Sequence, residues 1–115
     1  MNHDLRLLHL LPAAVLVTQQ GAIRFANAAS MELLEAPSID SLIGRLSGDF
    51  VHPLDQVRST NRIQQVAVPE QAGRPNKSSE FRIRTERGNL RMVLISSVAV
   101  SYTHLTLPTI CSVEI

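Results

Sequence analysis

The stretch EFRIRTERGNLRMVLISSVAV, residues 80–100, leaves the chain little choice of architecture. EFRIRT alternates strictly, with Phe81 and Ile83 on one face and Glu80, Arg82 and Arg84 on the other, which is the period of a half-buried strand. ERGN supplies a turn and LRMVLISSVAV returns as a long apolar strand. The unit reads as an antiparallel hairpin with strands over residues 80–85 and 90–100.

A second hairpin stands near the N-terminus. AAVLVTQQG reads as a strand over residues 14–18 ending in a Gln-Gln-Gly turn, and AIRFA, residues 22–26, as its partner, with Ile23 and Phe25 on one face and Arg24 on the other. Helix signals fill the space between the hairpins. Asn27 follows the second strand at once, and its side-chain carbonyl can cap a helix over residues 28–36 that Pro37 terminates. Ser38 caps a short helix in IDSLIG, and Gly44 suits the left-handed position past its end. Pro53 opens a longer helix running to about Val66, with Asp55 near the positive end of its dipole. VPEQAGRPNKSS is a loop by composition. Ahead of the first strand, Asp4 caps a short amphipathic helix over residues 5–11, with Leu5, Leu8 and Leu11 near one face and Pro12 as its stop. Two strands, a run of short helices, then two or more strands define an α+β order: an antiparallel sheet with helices on one side and the first hairpin central beside the last strand.

At 115 residues and 44% hydrophobic, the chain suffices for one domain and is too short for two. Eleven Lys and Arg against ten Asp and Glu leave a net charge of +1, which argues against nucleic acid and anionic membrane as partners. Cys111 is the single cysteine, so no internal disulfide forms, and no segment reads as a signal peptide. The longest apolar run, within residues 92–100, is broken by Ser96 and Ser97 and falls far short of a membrane span. A cytoplasmic domain without membrane contact is the expectation. An enzyme is not expected: there is no Ser-His-Asp set in workable order, no paired carboxylates on one face, no CxxC and no phosphate-cradling Gly-rich loop.

Four pieces in register resemble the PAS family: LLPAAVLVTQQGAIRFANAASMELL, LIGR, DFVHPLDQ and EFRIRTERGNLRMVLISS, together covering about residues 7–100. The resemblance implies a five-stranded antiparallel sheet flanked by helices. It also implies a non-catalytic cytoplasmic module for sensing and dimerisation, joined to an output domain in a bacterial sensor kinase or cyclic-di-nucleotide enzyme. A small-molecule-binding protein in its own right is the alternative. On this reading residues 1–12 are the N-terminal helix, which either covers the outer face of its own sheet or, as is common in the family, packs at a two-fold interface and so implies a homodimer, and residues 13–100 are the core. In residues 101–115 the resemblance changes. VSYTHLTLPT, from Val100, is similar to the one-frame translation of a transposon-end sequencing adapter, which implies a non-native tail in a metagenomic fragment. TICSVEI nonetheless has strand composition and stands where the family's fifth strand belongs.

No bound cofactor is expected. The flavin-adduct branch of the family carries a reactive Cys where GRLSGDF places Ser47, and the haem branch carries a His where RSTNRIQ places Asn61. With 3% aromatic residues and no Trp, little is present to stack on a non-covalent flavin. His52, immediately before Pro53, is a turn residue or a metal ligand, and His3, His9 and His104 stand at no metal-binding spacing to it, so no metal is expected. Asn27 is a helix cap, worth about 1 kcal/mol, or part of a ligand site. On the longer helix, Thr60, Asn61 and Gln64 form a polar stripe facing Phe81, Ile83 and Met92, a mixture that suits a small organic ligand or a filled core with the stripe in water. Arg82, Arg84 and Arg91 either bind a carboxylate or form a solvated face.

Overall fold

The structure, a computed structural model, describes residues 9–99 and 109–114. Both hairpins form where their patterns place them. Strands β1 (Ala14–Gln19) and β2 (Ala22–Ala26) are joined by Gln20 and Gly21, at φ 53° and 82°. Positive φ at both positions gives the tight turn whose twist matches that of the strands. Strands β3 (Ser79–Arg84) and β4 (Leu90–Ala99) pair with Phe81 opposite Val93 and Arg82 opposite Met92. Strand β5 (Thr109–Glu114), supplied by the tail, lies between the hairpins and pairs antiparallel with β1 and β4. The sheet therefore runs β2-β1-β5-β4-β3, with the first hairpin beside the last strand and β2 at the edge.

One face of this sheet carries the main core. Leu16, Ile23, Phe81, Ile83 and Val93 pack there against Leu33, Leu34, Leu42, Phe50 and Val51 from the segment that crosses between the hairpins. Helix α1 (Ala28–Leu34) starts that segment, and Asn27 fixes its origin. The Asn27 side chain is fully buried (0% exposed). Its Oδ1 accepts from the N–H of Ser30 at 3.0 Å and from the N–H of Val15 at 2.9 Å, and its Nδ2 donates to the carbonyl of Ala13 at 2.9 Å. The cap expected from sequence is thus also a tie to β1.

Several boundaries differ from the expectation, each for a local reason. Helix α1 stops at Leu34, two residues early, because Glu35 takes the left-handed conformation (φ 55°) and turns its N–H back to the carbonyls of Met31 and Glu32. The segment after Ser38 is a 3-10 turn, Ile39–Ser41, with no side-chain cap from Ser38; the Ser41 hydroxyl donates to the Ser38 carbonyl instead. Gly44 does take the left-handed position, at φ 85°. Pro53 opens a 3-10 turn, Pro53–Asp55, before helix α2 (Gln56–Val66) begins.

Phe25 is a correction of face. Val17 pairs with Phe25 and Thr18 with Ile23, so Arg24 is an extra residue that shifts the alternation. Ile23 joins the main core, whereas Phe25 turns to the opposite face and packs edge-on against His9, ring centroids 5.1 Å apart. The helix expected over residues 5–11 lies mostly outside the described residues; His9 and Leu10 form a turn.

Asn27→Ala removes the side-chain partner of the buried Val15 N–H and of the part-buried Ala13 carbonyl, at about 1–3 kcal/mol for a buried group so stranded, and removes the cap of α1 as well, about 1 kcal/mol. A loss of about 2–4 kcal/mol of stability follows, measurable by urea denaturation; an unchanged midpoint would contradict the clamp. Asn27→Asp keeps the acceptor but leaves the Ala13 carbonyl unpaired and buries a charge, so it too destabilises.

Candidate functional site

Helix α2 sets the geometry of the candidate site. Its start is fixed by polar contacts to β3. His52 donates its N–H to the Arg82 carbonyl at 2.8 Å and accepts at Nδ1 from the N–H of Leu54 at 3.1 Å, which makes it a turn residue. Asp55 accepts from the Arg82 N–H at 2.9 Å and from its guanidinium at 2.8 and 3.1 Å. These bonds, foremost the one to the Arg82 side chain, hold the Asp55 carboxyl well below the usual carboxylate range. Gln56 donates to the Val51 carbonyl at 3.1 Å.

Farther along α2, the Arg58 guanidinium lies 3.9 Å from the centre of the Phe81 ring and donates to the Ser79 hydroxyl and the Glu80 carbonyl. Arg62 reaches the Ile95 carbonyl at 3.1 Å, and burial lowers its pKa. These arginines occupy one side of the helix. The adjoining side, Ser59, Thr60, Ile63 and Gln64, faces a cleft of about 520 Å³. Gln20 and Gly21 of the β1–β2 turn and Ser47 and Gly48 of the 3-10 turn Ser47–Phe50 complete its rim, and Thr18 and Thr109 of the neighbouring strands β1 and β5 line it on the sheet side. Beneath it lies a second space of about 60 Å³, lined by Leu33, Leu34, Phe50, Ile83, Ile95 and Val113 among others.

The structure brings together some of the sequence-derived residues and separates others. Thr60 and Gln64 line the cleft and Ile83 the inner space. Asn61 is exposed and lines neither. Phe81 lies under Arg58. Met92 is a correction: it pairs with Arg82, one position out of phase with Phe81, so strand alternation puts it on the opposite face, 53% exposed. Asn27 is taken up by the backbone of β1 and α1 and lines neither space. The three arginines do not converge. Arg82 binds Asp55, Arg91 donates to the Leu33 carbonyl at 2.9 Å, and Arg84 is exposed.

Sequence reasoning missed Ser59 and Ile63. Ile63 is the apolar position nearest the middle of α2, and setting the helix phase by it places Ser59 one turn earlier on the same face, beside Thr60 and Gln64. Cys111 is buried, its thiol pKa is raised by that burial, and its sulfur lies 3.2 Å from the Ser97 hydroxyl. Among the described residues, no group of three His, Cys, Asp or Glu is placed to hold a metal ion, and no helix is long and apolar enough to cross a membrane.

An antiparallel sheet in this strand order, with helices, a cleft and an inner cavity on one face, defines the class of α+β domains that hold an open space between sheet and helices. The family model described as the PAS fold matches residues 2–104, and the chain belongs to that family. PAS domains are typically sensory, non-catalytic modules of histidine kinases and other signalling proteins; they bind small ligands and often dimerise. A PAS domain from Colwellia psychrerythraea superimposes with a TM-score of 0.81 at 19% identity, covering 99% of this chain and 95% of that one. A PAS domain from a two-component sensor histidine kinase gives 0.67 at 14% identity, with 98% and 96% covered. A variant of the Cycle PAS-B domain of Drosophila melanogaster, with bound glycerol, gives 0.76 at 10% identity, with 88% and 97% covered. No curated protein matches the sequence.

The Asp55 carboxyl binds its proton less readily when folded than its ordinary value of 3.8. Its stabilising contribution is therefore complete above about pH 4 and is lost as the pH falls below that value. Urea denaturation between pH 7 and pH 2.5 should show Asp55→Asn less stable at pH 7 and less sensitive to acid than the parent. Parallel pH profiles would contradict the ion pair's role.

Proposed function

We propose that this chain is the sensory, non-catalytic module of a bacterial signal-transduction protein, with an output domain of the sensor-kinase or cyclic-di-nucleotide class, and that the cleft beside α2 receives a small organic ligand. The observation that carries the ligand reading is the convergence of Thr60 and Gln64 with Ser47 and Gln20 on one open space of ligand size. The likeness to a sensor-kinase PAS domain supports the signalling assignment. The glycerol held by the Cycle PAS-B variant is a small polyol that a cleft of this volume accommodates.

A ligand between the β1–β2 turn and α2 bears directly on that helix. Through Arg82 and Asp55, and through Arg58 on Phe81, displacement of α2 loads β3 and hence the sheet. The test is an NMR titration of the ¹⁵N-labelled protein with small metabolites of mixed charge. Shifts concentrated at Ser47, Thr60 and Gln64, abolished in Thr60→Val/Gln64→Leu, are the expected result. Shifts scattered over the surface, or none, would overturn the ligand reading.

The output side of the module is proposed to be a homodimer formed by residues 5–11 and the sheet face opposite the helices. Leu10 is 80% exposed, and on that sheet face Met92 and Leu94 are exposed while Val98 and Ile110 are half-buried. Sedimentation should show a dimer at tens of micromolar, roughly the range expected of a modest interface, and a monomer for Leu5→Asp/Leu8→Asp. A monomeric parent, or a variant that dimerises equally well, would remove this interface.

A further inference from the structure

We infer that the ligand of this site is an uncharged amphiphile: a neutral hydrogen-bonding head in the outer cleft and a short apolar chain in the inner cavity. The inference rests on the reading of the cleft as a ligand site and concerns which chemistry it accepts.

The two spaces adjoin. Ser47, Ser59 and Ile63 line both the cleft and the cavity beneath it, so a molecule that enters beside Thr60 and Gln64 meets the cavity between Ser47 and α2. The outer wall is mixed, with Leu46, Ile63 and Ala67 beside hydroxyl and amide side chains, and its polar groups are uncharged. Its side-chain donors and acceptors are hydroxyls and amides, and among the described residues no charged side chain lines either space. The cations nearest along α2 are engaged on its other side, Arg58 on Phe81 and Ser79 and Arg62 on the Ile95 carbonyl. Arg45, close to the 3-10 turn, lies over the Phe50 ring and pairs with Glu86. A carboxylate or ammonium in the cleft therefore gives up hydration with no opposite charge to replace it. A hydroxyl or amide exchanges water for protein partners of the same kind.

The inner wall reverses this chemistry. Apolar side chains dominate it, and such a cavity excludes water and accepts apolar matter. An apolar cavity of about 150 Å³ holds one benzene, roughly 25 Å³ per carbon, so the volume of about 60 Å³ here corresponds to about two to three carbons. An apolar chain of about three carbons fills it. Each methylene taken from water into such a space raises affinity roughly fourfold.

The test uses the intact 115-residue protein and NMR titration with 1,2-alkanediols from propanediol to octanediol. Glycerol, pentanoate and butylammonium serve as controls. Affinity should rise roughly fourfold per methylene up to 1,2-pentanediol and then level off, with shifts at Ser47, Ser59 and Ile63. Pentanoate and butylammonium, which carry the four-carbon chain of 1,2-hexanediol on a charged head, should bind at least tenfold more weakly than that diol. Ile63→Trp, which narrows the passage, should abolish the dependence on chain length while its spectrum remains that of the folded domain. Equal binding of pentanoate or butylammonium would overturn the neutral head, and equal binding of glycerol or a flat length series would overturn the apolar chain; in both cases the cleft stands as a ligand site. Failure of every compound to shift any cleft amide would overturn this inference and the ligand reading together.

Discussion

The carboxamide of Asn27 is the contact on which the rest of the layer arrangement depends. An amide buried this completely is tolerated only when its donors and acceptors are matched, and here they are matched by backbone from two elements, Ala13 and Val15 on one side and Ser30 on the other. That fixes where α1 leaves the sheet. The far end of α1 is tied to the other hairpin: the Glu35 carboxylate accepts from the Thr85 hydroxyl and the Asn89 amide, both at 2.6 Å, and Arg91 donates to the Leu33 carbonyl. A helix of seven residues has little stability of its own. It persists because both ends are held and because Leu33 and Leu34 are buried between them.

Helix α2 is held differently. Val66 alone among its residues is fully buried, and Arg58 and Arg62 secure it by resting on Phe81 and on strand carbonyls at the margin of the sheet. Such contacts define a position, yet they give way at less cost than an interlocked apolar core. The element that borders the cleft is thus the one whose attachment is most polar, whereas α1, behind the inner cavity, is pinned at both ends. Of the two helices, α2 is therefore the one with the weaker hold on the sheet.

Much of this was readable along the chain, and the failures share a cause. The α+β order, both hairpins and the Asn27 cap follow from local periodicity and turn chemistry. The ties from Asn27 to Ala13 and Val15 depend on strand pairing and have no local signal. Phe25 was assigned to the wrong face because alternation assumes uninterrupted pairing, and the extra residue at Arg24 breaks it. Met92 went wrong because its face depends on the register that sets Phe81 opposite Val93. In the site, Thr60 and Gln64 were legible as a polar stripe. Ser47 matches by position the cysteine of the flavin-adduct branch, a likeness that carries no signal for its place on the border of both the cleft and the cavity.

The position of β5 has a consequence for the order in which the sheet is completed. The strand that joins the two hairpins is the last of the five described strands in sequence order, and its pairing of Thr18 with Thr109 closes a loop of 91 residues. Until that segment pairs, β1 and β4 each present a bare edge of unpaired amides and carbonyls. Before β5 is in place the chain therefore holds two ribbons and no continuous sheet. Contacts between residues so far apart in sequence form slowly, so closure of the sheet waits on residues 109–114 and on the long-range pairing they make with β1.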